Sequence, residues 1–174
     1  MTTHTKSTGF SLWLMPPEDS QSYRFLDSLI KDLASVYQTY SFEPHITLLG
    51  GIEGNADEVV AKTQELAGNI SSFQAILEEL GSQDNYFRAF FANAERNYVI
   101  QANIAAQNMF GLSQKYMPHL SLAYGHFSKE QISWLDSRVA AVDIHRGNFE
   151  VESIHVYQTQ GIVSEWKRLA ELPF

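Results

Sequence analysis

An α+β fold is expected for this chain of 174 residues, on three observations. Apolar strand-like runs and runs of helical period are mixed, without the strict βαβα alternation of a doubly wound sheet. Prolines and glycines punctuate the strand-like runs, and one strand segment occurs twice, around His45 and His119.

Phe10–Met15 (FSLWLM) is an apolar run halted by Pro16-Pro17, a strand and then a sharp break. From Glu18 to Tyr40, apolar residues fall at Tyr23, Phe25, Leu26, Leu29, Ile30, Leu33, Val36 and Tyr37. Gaps of three and four mark one face of an amphipathic helix. Pro44 ends the next turn, His45–Leu49 reads as a strand, and Gly50-Gly51 is expected to close it. Ala56–Ala67 is a second helix, with Gly68-Asn69 as its stop. Phe73–Leu80 and Tyr86–Phe91 are expected strands on either side of a turn at 81–85. Glu95–Phe110 has helical character ending at Gly111, although Tyr98-Val-Ile100 also fits a strand. Pro118 opens a strand, His119–Tyr124, which again runs into glycine. Ser128 is placed to cap a helix reaching about Val139. Phe149–Gln158 and Trp166–Leu172 are the last expected strands.

The length suits one domain, or two small lobes sharing a core, with residues 1–8 as a polar tail. Eleven Phe, eight Tyr and three Trp supply a substantial interior. Cysteine is absent, which excludes disulfides, thiolate nucleophiles and Cys-based zinc sites. No apolar run approaches the roughly 20 residues needed to cross a bilayer. The start MTTHTKSTGF lacks the basic-then-apolar order of a secretory signal, so a soluble, cytoplasmic protein is expected. The net charge of −8 argues against long nucleic acid as the main partner, since phosphate neutralisation dominates that affinity. A small phosphate-bearing substrate remains compatible, and a monomer is expected.

The repeat aligns Phe42–Gly51 (FEPHITLLGG) with Tyr116–Gly125 (YMPHLSLAYG). Pro44 matches Pro118, His45 matches His119, Leu48 matches Leu122 and Gly51 matches Gly125. Thr47 and Ser121 match in character. Strand side chains alternate faces, so His45 and Thr47 share one face while Ile46 and Leu48 take the other. His119 and Ser121 stand likewise against Leu120 and Leu122. Each strand offers an imidazole and a hydroxyl to one side and aliphatic packing to the other.

Two imidazoles suit acid–base chemistry near neutral pH, one taking a proton from water and the other supplying the leaving oxygen. The hydroxyls of Thr47 and Ser121 can hydrogen-bond the non-bridging oxygens of a phosphate. Four groups thus surround one phosphorus without a metal.

With these residues the chain resembles the 2H phosphoesterases, named for two His-x-Thr/Ser motifs. The closer likeness is to the cyclic phosphodiesterase branch of plants and yeast. It is carried by Ser11-Leu-Trp13-Leu-Met-Pro16, Phe42-Glu-Pro-His-Ile-Thr47, Tyr116-Met-Pro-His-Leu-Ser-Leu-Ala-Tyr124 and the late Trp166-Lys-Arg. The resemblance implies a bilobal α+β fold in which two antiparallel sheets flank a central cleft, with helices outside. It implies hydrolysis of ADP-ribose 1″,2″-cyclic phosphate and of nucleoside 2′,3′-cyclic phosphates to 2′-phosphates, without cofactor or metal. It also implies that His119 activates water and His45 protonates the leaving oxygen, an order the near-equivalent motifs do not themselves decide. Tyr124 matches a tyrosine that helps to hold phosphate or base. It lies five residues after His119 and would face away in an unbroken strand, so a bulge or a strand end near Ala123 is needed. Trp13 and Phe87 match aromatic positions suited to stacking on a nucleobase, although core packing is the favoured reading for both.

His126, His145 and His155 lack the repeated context and read as surface or satisfied core histidines, and His4 lies in the tail. A zinc site from two histidines and a carboxylate has no His-Glu-x-x-His spacing behind it. The competing functions are an RNA 2′,3′-cyclic-end phosphodiesterase or 3′-end exonuclease, and a non-catalytic nucleotide-binding module.

Overall fold

The structure is a computed structural model and describes residues 5–174. Among the described residues, nine strands and four α-helices follow the mixed order anticipated for an α+β chain. They are β1 (Phe10–Leu14), α1 (Gln21–Tyr37), β2 (Ile46–Ile52), α2 (Ala56–Ala67), β3 (Phe73–Ala75), β4 (Leu77–Gly81) and β5 (Phe90–Ala94). Then come α3 (Asn97–Phe110), β6 (His119–Ala123), α4 (Lys129–Ala140), β7 (Phe149–Val151), β8 (Ser153–Gln158) and β9 (Lys167–Pro173). All pairings are antiparallel: seven strands in the order β4-β5-β6-β2-β1-β8-β9, and a two-stranded sheet β3-β7.

Alternation along the central strands builds the core. Leu12, Leu14, Ile46, Leu48, Leu120, Leu122, Ile154 and Val156 are all fully buried on one face. There α1 packs on β6, α3 on β2, and α2 on β8 and β9. The opposite face carries Trp13, Thr47, His119, Ser121 and Tyr157, and becomes the cleft. The larger sheet has a seam: β2 and β6 share a single register pair, Ile46 with Leu120. Three strands lie to one side of it and four to the other, so the repeated motifs face each other across it.

Local chemistry accounts for the helix ends. The Ser20 hydroxyl accepts from the Tyr23 amide at 3.0 Å, which starts α1 at Gln21 rather than at Glu18. Ser128 and Gln131 form a capping box at α4. The ambiguous stretch at Tyr98–Ile100 is helical, as the first turns of α3, which ends where Gly111 takes φ +66°.

Four expected strand boundaries are corrected. The runs Phe73–Leu80 and Phe149–Gln158 each break, at Ile76 and Glu152, because the chain changes sheets there: β3 pairs β7, whereas β4 and β8 join the large sheet. Tyr86–Phe91 is not one strand. Tyr86–Arg88 is a 3₁₀ turn, since the Asn85 side chain accepts from the Phe87 amide and Ser121 donates to the Phe87 carbonyl, taking both groups out of any ladder. Finally, β2 does not close at Gly50-Gly51 but continues to Ile52, opposite Phe10. Of the expected polar tail through residue 8, residues 1–4, His4 among them, lie outside the described residues. Ser7 and Gly161 exchange two backbone hydrogen bonds of 2.9 and 3.0 Å.

The seam generates a test. Leu120→Ala should cost about 2–5 kcal/mol in urea unfolding, as for other buried leucines. Because Ile46 and Leu120 share one contact, the double variant with Ile46→Ala should lose less than the sum of the two single losses.

Candidate active site

β2 and β6 bring His45, Thr47, His119 and Ser121 to one cleft, together with Trp13, Phe87 and Tyr124. The cleft encloses about 620 Å³ of space including its open mouth.

Both histidines are held in the same way. His45 Nδ1 lies 2.7 Å from the Glu43 carbonyl and His119 Nδ1 lies 2.8 Å from the Met117 carbonyl, each two residues upstream. A carbonyl only accepts, so each Nδ1 carries the proton and each Nε2 lone pair is left for the cleft. Burial lowers both pKa values, taking His45 from 6.5 down to about 4 with the neighbouring His119 adding to the shift. For His119 burial is again the main cause, and the Arg88 guanidinium adds to it. Burial therefore favours the neutral form of both imidazoles at neutral pH.

The hydroxyls differ. Ser121 Oγ donates to the Phe87 carbonyl at 3.0 Å, tying β6 to the 3₁₀ turn. Thr47 Oγ1 has no hydrogen-bond partner among the described residues, while the Thr47 carbonyl accepts from Tyr116 Oη at 2.9 Å. That bond crosses the seam from the segment before β6. In return Phe42, before β2, stacks on Tyr124, after β6, with ring centroids 3.7 Å apart. The two halves of the sheet are thus latched reciprocally beside the histidines. The buried Asn103 of α3 fixes β2 from behind, donating to the Leu48 carbonyl at 2.7 Å.

The parity problem at Tyr124 is resolved by the strand end at Ala123, which frees Tyr124 to turn toward the cleft. Burial raises its phenol pKa, so it stays a neutral hydroxyl. Trp13 lines the cleft at only 2% exposure, with His45 stacked on it at 3.6 Å and Tyr157 at 3.7 Å. Phe87 is half-buried in the 3₁₀ turn and meets Tyr124 edge-on at 5.3 Å. His155 is buried away from the cleft, 3.0 Å from Ser153 Oγ.

The model of the family described as "Cyclic phosphodiesterase-like protein" matches residues 8–174. The chain belongs to that family. A cyclic phosphodiesterase of Arabidopsis thaliana is 27% identical over 129 residues, covering 72% of this chain and 70% of its own. A 2′,3′-cyclic-nucleotide 3′-phosphodiesterase of Phaeosphaeria nodorum is 26% identical over 132 residues, covering 67% and 68%. Among solved structures, E. coli LigT complexed with 3′-AMP superposes with a TM-score of 0.61 at 15% identity, covering 97% of this chain and 99% of that one. That likeness shows the fold, a 2H phosphoesterase architecture. This member of the cyclic phosphodiesterase-like family is an enzyme of cyclic phosphate hydrolysis.

Two cleft residues escaped the sequence reading. Arg88, exposed on the 3₁₀ turn, is the only cationic side chain among the described lining residues, and no carboxylate lines the cleft. Only the turn geometry, not a strand over 86–91, lets Phe87 and Arg88 both border it. Trp166 sits 5.7 Å from Phe87 and 5.8 Å from Trp13; its place in a resembling segment was its one sequence signal. Among the described residues no three His, Asp or Glu side chains converge to hold a metal ion, and no helix is long and apolar enough to cross a membrane.

Stability should follow the buried imidazoles. The unfolded chain binds more protons than the folded one wherever a folded His pKa is depressed, so stability is full above about 6.5 and falls as pH drops toward 4. His45 alone should contribute a loss on the order of 3 kcal/mol across that window. Urea unfolding at pH 7.0 and 4.5 should show the loss in the native protein and a smaller one in His45→Gln.

Proposed function

We propose that the enzyme hydrolyses small cyclic phosphates, nucleoside 2′,3′-cyclic phosphates to 2′-phosphates and ADP-ribose 1″,2″-cyclic phosphate, by paired-histidine catalysis without a metal. The observation that carries this reading is the matched setting of His45 and His119: each has Nδ1–H on a carbonyl two residues upstream and a hydroxyl two residues downstream. One neutral imidazole takes a proton from water as its oxygen attacks phosphorus, and the other protonates the ribose oxygen as its P–O bond breaks. Thr47 and Ser121 donate to the non-bridging oxygens, for which Ser121 rotates away from the Phe87 carbonyl. Tyr124 closes the phosphate side, and half-buried Phe87 is the aromatic surface available to a base. Trp13, covered by His45 and Tyr157, serves as backing for His45.

Arg88 favours an order for the two histidines. It opposes the protonation of His119, which suits a base that must stay neutral before attack. His45 then acts as the acid and gains its proton with the anionic substrate, whose charge offsets the burial that keeps it neutral in the empty cleft. A single cation and no carboxylate suit a small anion, whereas a polynucleotide end calls for a basic track. The A. thaliana and fungal relatives, by their names, point the same way.

Turnover of 2′,3′-cyclic AMP should persist in EDTA. His45→Ala and His119→Ala should each lower kcat about 10²–10⁴-fold, with the 2′-phosphate product identified by phosphorus NMR. Loss of all activity with chelator, or full activity in His45→Ala, would sink the mechanism. Arg88 also makes the substrate class testable. ADP-ribose 1″,2″-cyclic phosphate carries a pyrophosphate in addition to the cyclic phosphate, so Arg88→Ala should raise its KM roughly tenfold, the size of one charge-assisted hydrogen bond. For cyclic AMP, which lacks the pyrophosphate, the same substitution should change KM by about twofold or less.

A further inference from the structure

The repeat makes the two histidines look interchangeable, but their surroundings are not. Position 43, before the first motif, is a glutamate; its counterpart before the second is Met117. The Glu43 carbonyl receives His45 Nδ1–H, and its carboxylate receives the hydroxyls of Tyr157 and, at 3.5 Å, of Tyr23. Tyr157 lies on the distant strand β8, and Tyr23 on α1. The Tyr157 ring stacks on Trp13 at 3.7 Å and 19°, and Trp13 stacks on the His45 ring at 3.6 Å and 6°. The contacts close a loop: His45 to Glu43 through Nδ1, Glu43 to Tyr157 through the carboxylate, Tyr157 to Trp13 to His45 through stacked rings. Trp13 is itself fixed by its indole N–H, which donates to Ser11 Oγ at 3.0 Å. His119 has no such loop; its aromatic neighbour Phe91 meets it edge-on at 5.1 Å.

We infer that Glu43 and Tyr157 are positioning residues, a clamp that holds the His45 ring plane and keeps its proton on Nδ1, so that Nε2 addresses the substrate in one orientation. The inference rests on the catalytic reading of His45 given above. The physical case is economy of freedom. An imidazole has two side-chain torsions, and a hydrogen bond to Nδ1 alone leaves the ring able to swing about it. A stack on one face removes that motion only if the stacking partner is itself immobile, and Tyr157 bonded to Glu43 supplies that. Each tyrosine stays a donor across the working range: burial and the Glu43 carboxylate push Tyr157 up, and Tyr23 up to about 12. None of the clamp residues beyond His45 needs to touch the substrate, so they should act on kcat rather than on KM.

The test uses Tyr157→Phe, which keeps the stack and removes the hydroxyl, with Glu43→Gln and Glu43→Ala, and reads two independent quantities. The first is steady-state kinetics on 2′,3′-cyclic AMP. Tyr157→Phe and Glu43→Ala should lower kcat about ten- to a hundredfold with KM within about twofold, and Glu43→Gln, whose amide oxygen still accepts from Tyr157, should recover part of the loss. The second is ¹⁵N NMR of the His45 ring without substrate. The native protein should show one tautomer, protonated on Nδ1, and Tyr157→Phe a mixture of tautomers or a broadened signal. Native kcat in both Tyr157→Phe and Glu43→Ala, or an unchanged His45 tautomer in Tyr157→Phe, overturns the clamp. The NMR arm needs no turnover: if the native protein fails to hydrolyse cyclic phosphates while the tautomer still shifts, the functional reading falls and the clamp stands. Should Glu43→Ala fail to fold, Tyr157→Phe decides both arms.

Discussion

The site depends on a seam at which two half-sheets pair through a single register position. Ile46 and Leu120 meet at the seam, the only register pair of β2 and β6, and both are fully buried. Since strand side chains alternate, driving these two residues into the core forces their neighbours, His45 with Thr47 and His119 with Ser121, onto the other face. Hydrophobic burial on one side of the sheet therefore aims the polar groups on the other. A one-residue slip of either strand would turn an imidazole into the apolar core and a leucine toward the cleft, so the core holds the register of the site. The reciprocal latches, Tyr116 to the Thr47 carbonyl and Phe42 on Tyr124, reinforce the seam where ladder hydrogen bonds are few.

Placing the histidines at the base of a cleft has an electrostatic consequence. Burial takes water from the imidazoles and favours their neutral forms, most strongly for His45. A phosphodiester brings its own negative charge, and beside buried imidazoles that charge counts for more than it would in water. The same desolvation that keeps both groups neutral when the cleft is empty makes one of them easier to protonate when it is filled. Arg88 biases which one, by standing near His119.

Much of this was legible in the sequence, and the remainder was not for identifiable reasons. The duplicated Pro-His-x-Thr/Ser segment, the strand parity and the helical periods depend on neighbours in sequence, and they placed the four central side chains and the helices α1 and α2. What depended on partners distant in sequence did not show. The change of sheet at Ile76 and Glu152 leaves no mark, because a strand's alternation is the same whichever neighbour it pairs with. The 3₁₀ turn at Tyr86–Arg88 arises from Asn85 and from Ser121, the latter 34 residues away from Phe87, so β-prone residues there read as a strand. That misreading hid Arg88. The aromatic at position 13 was visible, yet its surroundings were not, since Tyr157 comes from the far end of the chain.

A duplicated motif supplies two equivalent groups, whereas acid–base catalysis needs two different ones. The equivalence is visible in the backbone, where each imidazole is tethered to the carbonyl two residues before it. The differences lie in what surrounds each tether. On one side stand Glu43, Tyr157 and Trp13, a rigid aromatic and carboxylate frame around the more deeply buried histidine. On the other stand Met117, Phe91 and the cation Arg88, a looser and more exposed setting. Glu43 and Met117 are a difference within the repeat, whereas Tyr157 and Trp13 come from β8 and β1, and Phe91 and Arg88 from β5 and the turn before it. One difference within the duplication and segments outside it thus break its symmetry, by environment rather than by changing the paired imidazoles and hydroxyls. Two motifs can thus keep nearly the same residues while their histidines stand in different surroundings.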